Sequence, residues 1–336
     1  MPESDDGPQA FDTWCQARHG SHQALRQSLI PTLLGSIAKI GQALRSSHHV
    51  SLAGTANAFG DDQLNVDVTA ENMIRAALAQ CPSVVTASSE EDPVERPVHD
   101  DDDDEPKPGP TGEQYTVAFD PLDGSSIIAP NWSVGTIVGI WAGRSALSQP
   151  PSEAQVAAIL GVYGPRTTAI VAMRVPGAEP VCFEMGLSDE GMLAHEMIRH
   201  SVRLASPPFR TRYFAPANLR AAADDEAYMK LVTHFVRSKY TLRYSGGLVP
   251  DVVHALVKGH GVYLSPVTPQ SRAKLRRLYE LLPVALVLEC AGGKAVDSSS
   301  GRDILSDAVV QPDERGGLIC GNAEDVELAK RELGLC

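Results

Sequence analysis

The stretch Phe119-Asp120-Pro121-Leu122-Asp123-Gly124-Ser125-Ser126 decides how the rest of the chain is read. A β-rich run, Tyr115 to Phe119, feeds into it. Pro121 and Gly124 then impose a turn, because proline fixes φ and glycine tolerates positive φ. Two carboxylates, Asp120 and Asp123, are thereby held on a rigid elbow at the end of a buried strand. Behind them Gly124, Ser125 and Ser126 offer backbone N–H groups and two hydroxyls, a nest suited to a phosphate. Carboxylates beside an anion nest make chemical sense chiefly when divalent cations sit between them.

Upstream of the elbow, Leu29, Leu33, Ile37, Ile40 and Leu44 recur at helical spacing, with Pro31 acceptable in a first turn. Val66, Ala70, Met73 and Ala77 form a second apolar stripe. Asp67 therefore falls near a helix start and Asp61 on the approach to it. Aspartates there are commonly caps, so neither is a site residue on that evidence alone. Val84 to Ser88 reads as a buried strand that ends in Ser89-Glu90-Glu91-Asp92. Acids at the carboxyl end of a strand lie where α/β sheets gather their ligands, though a solvated acidic loop is the plain alternative. Between Pro93 and Gly112, the run Asp100 to Asp104 and the following prolines predict a disordered surface loop.

Downstream, Ser133 to Trp141, Ala158 to Tyr163 and Thr167 to Met173 read as strands, and Val181 to Met185 as a further one. Gly164-Pro165-Arg166 signals a hairpin turn. A domain seam is expected near Ser148 to Ser152, dividing an N-terminal α+β half (1–150) from a C-terminal α/β half (151–336). His195 and His200 tempt a zinc reading, but five residues place them about 140° apart on a helix, too far around to share a metal. Asp224 to Tyr240 is amphipathic, with Tyr228, Leu231, Val232, Phe235 and Val236 inward. Asp251 to Lys258 reads as another helix and Gly261 to Ser265 as a strand. Leu275 to Leu282 is helical in character, and Pro283 is expected to interrupt it. Glu280 thus lies among apolar residues, and a buried glutamate needs a cation or a hydrogen-bond network.

The formal net charge of −13 argues against nucleic acid or an anionic membrane as partner. It also means that an anionic substrate must be drawn in by metals or by local cations. Six scattered cysteines without C-x-x-C spacing read as reduced thiols. The acidic N-terminus resembles no targeting segment and no apolar run approaches a membrane span, so a cytoplasmic protein is expected. Neither G-x-G-x-x-G nor G-x-x-x-x-G-K occurs, so no nucleotide motif is present.

Asp120-Pro121-Leu122-Asp123-Gly124-Ser125 resembles the signature of the Mg²⁺-dependent, lithium-sensitive sugar-phosphate phosphatases. The longer run Val117 to Ser126 is similar to the class I fructose-1,6-bisphosphatase branch. Within that branch, Phe214 to Ala221, Tyr240 to Asp251 and Ala273 to Glu280 resemble the sedoheptulose-1,7-bisphosphatase group. The resemblance implies a layered α+β and α/β fold and hydrolysis of the 1-phosphate of a sugar bisphosphate. It implies two or three Mg²⁺ ions, with Mn²⁺ as a substitute, held by Glu90, Asp120, Asp123, Glu280 and the Leu122 carbonyl. Asp61 and Glu91 fall around an additional metal and the attacking water, which Asp67 and Glu91 would orient or deprotonate. Asp123, Gly124, Ser125 and Ser126 would hold the phosphate to be cleaved. Arg243, Tyr244 and Lys274 fall on the site of the distal phosphate, with Asn218 and Arg220 as further substrate contacts. In related enzymes the arginine reaches in from a neighbouring subunit, so a homodimer is expected, with a tetramer as the alternative. Sedoheptulose 1,7-bisphosphate is the leading substrate. Fructose 1,6-bisphosphate, dual specificity, or an inactive sugar-bisphosphate-binding scaffold are the alternatives. Plant sedoheptulose-bisphosphatases carry a redox cysteine pair that Ala53 to Gly60 lacks, and Ser265 stands where fructose-bisphosphatases place a tyrosine.

Overall fold

The computed structural model describes residues 22–56, 62–99, 112–188 and 195–335. Two sheets and three helical layers alternate, as the layered α/β reading expects. The larger sheet has eight strands in the spatial order Glu196–Arg199, Val181–Gly186, Thr167–Met173, Gln155–Tyr163, Val134–Ala142, Tyr115–Asp123, Val84–Ser89 and Arg96–Pro97. Its neighbours are antiparallel except for the parallel pair Val84–Ser89 and Tyr115–Asp123. Every residue of Tyr115–Asp123 and of Thr167–Met173 is buried. Both faces of the sheet are covered, and so these strands read as continuous apolar runs rather than alternating ones.

Alternation still decides which face each side chain serves. Val138, Ile140 and Ile159 pack with Ile37 and Ile74 of the helices Ile30–Ser46 and Asn65–Leu78. Ile137, Trp141 and Leu160 point the other way, onto the helices Leu248–Lys258 and Leu282–Cys290. Those two helices are buried on their far side by Ala215, Tyr263 and Cys320 of a five-stranded mixed sheet. Its order is Thr241–Leu242, Tyr213–Pro216, Val262–Ser265, Leu318–Gly321 and Lys294–Val296. Helices Glu226–Arg237 and Ala323–Glu332 close the outer face through Phe235, Val326 and Ala329.

Several expectations are corrected by this architecture. Residues 148–152 join two strands that pair over nearly their whole length, so the large sheet does not divide at 150 but runs on to Arg199. Pro283 does not interrupt a helix. It sits in the first turn of Leu282–Cys290, directly after the π turn Arg277–Leu281. Residues 93–99 are not a free loop: Arg96–Pro97 pairs with Val84–Ser89, and the Glu95 carboxylate accepts from the Ala146 N–H at 2.7 Å. The aspartate run itself lies outside the described residues. Val236, expected to point inward, faces solvent, and Glu196–Arg199 forms the edge strand of the large sheet.

One close approach ties the inner helix to the large sheet. A Cβ built on Gly135 would lie 2.4 Å from the Val249 Cβ and 2.9 Å from the Gly161 carbonyl oxygen. Only a residue without a side chain lets the start of Leu248–Lys258 rest on the strand there. Overpacking of this kind costs about 1–3 kcal/mol, so Gly135→Ala is expected to lower the unfolding free energy by about that amount in urea titration. A variant as stable as the parent would show that the helix yields freely.

Candidate active site

The elbow is a bulged strand rather than a turn after one. Tyr115–Asp123 pairs with Val134–Ala142 in register up to Asp120↔Ile137, then slips and resumes at Asp123↔Gly135. Pro121 sits inside the slip, where a residue with no N–H costs the ladder nothing. The Leu122 N–H turns back onto the Asp120 carboxylate at 3.0 Å. Gly124 is left-handed, at φ 93°, and opens the short helical turn Ser125–Ile128. Ser125 and Ser126 are exposed at the start of that turn, with backbone N–H groups unused by the helix and free for an anion.

Asp123 is held from the other half of the molecule. Its carboxylate accepts the N–H groups of Leu248 at 3.1 Å and Val249 at 2.7 Å, the first residues of Leu248–Lys258. The positive end of a helix is a favourable seat for a carboxylate. The sequence places this helix start three residues late, at Asp251, and so misses the two donors. Gly246-Gly247 just ahead and Pro250 in the first turn were the available signal.

Glu280 arrives from a wide π turn, Arg277–Leu281, and accepts the Arg276 N–H at 2.5 Å. One ligand atom each from Asp120, Asp123 and Glu280 lies within 4.8 Å of the others, and all three residues are buried. Among the described residues this is the one such group of acids, histidines or cysteines; His195 and His200 are in none. Glu90 leaves the end of Val84–Ser89 and pairs with the buried Arg276, whose Nε lies 2.9 Å from its carboxylate. The sequence reading overlooks Arg276, which looks like one more surface arginine in Leu275-Arg276-Arg277. Glu91 follows in the bend, half-buried. Asp67, at the first turn of Asn65–Leu78, accepts the Leu64 N–H at 2.9 Å. Its other oxygen is buried with no hydrogen-bond partner among the described residues. Asp61 lies outside the described residues.

The distal candidates divide into two groups. Asn218 holds a left-handed conformation and donates to the Pro266 carbonyl at 3.1 Å and to Ser271 Oγ at 2.5 Å. It thereby clamps the segment that carries Lys274, which is itself exposed. The Asn218 backbone and the Arg220 charge both act on the Tyr244 hydroxyl, although burial still raises its pKa. The Arg243 guanidinium lies 5.7 Å from the Tyr213 ring centre, and burial first, then the Arg243 charge, lowers the His254 pKa. A cavity of about 720 Å³ lined by Trp132, Tyr163, Arg243, Tyr244, Asp251 and His254 opens here, apart from the acid cluster.

The electrostatics of the cluster favour a cation. Burial, then the charges of Glu90, Glu280 and Asp123, push the Asp120 carboxyl well above the ordinary range. Burial and Glu90 do the same to Glu280. Burial raises Asp123 to about 6 despite its two helix donors, and Asp67 likewise to about 6, with Glu90 adding repulsion. Hard carboxylate oxygens that repel one another in a dry setting fit Mg²⁺, and nothing softer is offered. Because these pKa values are raised on folding, the stability they contribute is present at low pH and lost as pH climbs through about 6. The chelated protein is therefore expected to show a melting temperature that rises as pH falls from 8 to 5.5. Added Mg²⁺ should raise it more at pH 8 than at 5.5. Equal Mg²⁺ shifts at both pH values would contradict this account of the cluster.

Comparison with known proteins agrees with this geometry. Residues 16–191 match the model of the fructose-1-6-bisphosphatase N-terminal domain and residues 208–333 that of its C-terminal domain. The models meet near the end of the eight-stranded sheet rather than at 150. A chloroplastic sedoheptulose-1,7-bisphosphatase of Triticum aestivum is 39% identical over 85% of this chain and 69% of its own. A class 1 fructose-1,6-bisphosphatase of Syntrophotalea carbinolica is 38% identical over 84% and 81%. A Toxoplasma gondii crystal structure described as a "putative sedoheptulose-1,7 bisphosphatase" superposes with TM-score 0.83 at 35% identity, covering 97% of this chain and 98% of that one. The elbow, its acids and both matched domains together place this chain in the fructose-1,6-bisphosphatase family.

Proposed function

We propose that the protein hydrolyses the 1-phosphate of sedoheptulose 1,7-bisphosphate, giving sedoheptulose 7-phosphate and phosphate. The observation that carries a phosphatase reading is the buried triad Asp120, Asp123 and Glu280 beside the Gly124–Ser126 backbone. The choice of sugar is supported by the relatives, among which the sedoheptulose-bisphosphatases cover most of this chain at 37–39% identity. Fructose 1,6-bisphosphate is the second reading, supported by class 1 relatives at similar identity.

In this reading Glu90, Asp120, Asp123, Glu280 and the Leu122 carbonyl hold two or three Mg²⁺ ions, or Mn²⁺ in their place. Bound ions supply the charge neutralisation that phosphoryl transfer demands. The Ser125 and Ser126 N–H groups and hydroxyls donate to the oxygens of the 1-phosphate and fix its orientation. Water attacks phosphorus, the bond to the sugar oxygen breaks and that oxygen takes up a proton from solvent, while a proton of the attacking water passes to Asp67, assisted by Glu91. A carboxylate with a pKa near 6 and an unpartnered buried oxygen is a serviceable base close to neutral pH. Asp61, which lies outside the described residues, is a further candidate for that water on the family resemblance alone. Tyr244, Lys274, Asn218 and Arg220 bind the distal phosphate. Arg243, as the family resemblance suggests, would serve the distal phosphate of a neighbouring subunit, and we take a homodimer as the working form.

Two experiments test these roles. Asp120→Asn should lower Mg²⁺-dependent phosphate release about 10²–10³-fold, since it removes a central carboxylate while keeping the shape. Release unchanged by the substitution, or none from the parent, would favour the non-catalytic scaffold. Comparing kcat/KM for the two sugar bisphosphates should show a preference for the sedoheptulose ester. A clear preference for the fructose ester would overturn the choice of substrate.

A further inference from the structure

The slip in the central strand leaves a carbonyl without a ladder partner, and a side chain from the next strand takes it up. Thr136 Oγ1, on Val134–Ala142, donates to the Pro121 carbonyl at 2.8 Å. Its proton is committed there, so the contact of 2.6 Å to the Tyr163 hydroxyl is a bond that the tyrosine donates. Thr136 is fully buried and Tyr163 is 7% exposed. The two hydroxyls thus form a directed chain, Tyr163 to Thr136 to Pro121, crossing three adjacent strands. Burial also keeps the Tyr163 phenol protonated, and so a donor, at any pH near neutral.

The carbonyl at the end of this chain lies between Asp120 and Asp123. Asp120 is fixed by the Leu122 N–H and Asp123 by the helix Leu248–Lys258. The Leu122 N–H belongs to the same peptide unit as the Pro121 carbonyl, so its bond to Asp120 holds one edge of that plane and Thr136 holds the other, in a bulge that has no ladder bond to do so. We propose that Thr136, supported by Tyr163, is a positioning residue for the metal elbow. It locks the Pro121–Leu122 peptide so that both carboxylates and the Leu122 carbonyl present their oxygens to one cation. The proposal rests on the metal-dependent phosphatase reading. A buried hydroxyl that touches neither substrate nor metal acts here as an outer-shell partner, and loss of such partners costs about 10–100-fold in metal affinity or activity.

The test uses Thr136→Val, which replaces the hydroxyl by a methyl of similar size, with Thr136→Ser and Tyr163→Phe beside it. Two quantities are read in each protein: the Mg²⁺ concentration for half-maximal phosphate release, and the rise in melting temperature with added Mg²⁺ in the absence of sugar phosphate. Thr136→Val should raise the half-saturating Mg²⁺ about tenfold, displace the melting-temperature titration by the same factor, and change the sugar-bisphosphate KM less than about twofold. Tyr163→Phe should produce a smaller shift of the same sign, and Thr136→Ser should stay close to the parent. A Thr136→Val protein that melts earlier but titrates with Mg²⁺ like the parent would overturn the proposal, leaving the hydroxyl a packing group. Should Thr136→Val not fold, an unshifted Tyr163→Phe would do the same. If the parent releases no phosphate from any sugar bisphosphate, the phosphatase reading fails, while the Mg²⁺ melting titration still decides the role of Thr136.

Discussion

The structure depends on the bond between the Asp123 carboxylate and the first two N–H groups of the helix Leu248–Lys258. It joins a strand of the large sheet to a helix that follows it by more than a hundred residues, and it does so at the buried centre of the molecule. An unpartnered carboxylate there would be costly, and a helix N-terminus buried without an acceptor would be costly as well. Each relieves the other. The sheet makes room for the arrangement with a glycine, Gly135, directly opposite Asp123 in the ladder.

The remaining acids are arranged against their own preference. Burial and mutual repulsion raise Asp120, Asp123 and Glu280 together, and the buried guanidinium nearby, Arg276, is bonded to Glu90. A fold selected for stability alone would not gather three carboxylates within 4.8 Å in a dry setting. A bound metal ion would relieve these penalties and so link the stability of the chain to its chemistry. On the distal side the logic is different. Asn218, Arg220 and Tyr244 form a contiguous group, with Lys274 on a segment that Asn218 holds in place.

Much of the element pattern was legible in advance. The helix Ile30–Ser46 and the hairpin of Gln155–Tyr163 with Thr167–Met173 follow from periodicity and turn chemistry. Errors fell where local pattern competes with tertiary packing. Pro283 looked like a breaker because a proline within an apolar run has two meanings, and only the position of the preceding π turn selects the first-turn one. Leu248 was missed as a helix start because its N–H partner is a side chain on another strand. Arg276 looked ordinary because nothing local says that an arginine will be buried beside Glu90.

By itself the sequence determined the chemistry: an Asp-Pro-Leu-Asp-Gly-Ser-Ser elbow admits few uses, since proline, glycine and paired carboxylates restrict backbone and ligand together. It also carried the layered class, through the family resemblance that the elbow anchors. Only the tertiary structure decided which backbone groups hold Asp123, and that Arg276 is buried beside Glu90. Those are contacts between residues separated by scores of positions. They are set by how helices and sheets stack, and no local preference of the chain encodes them.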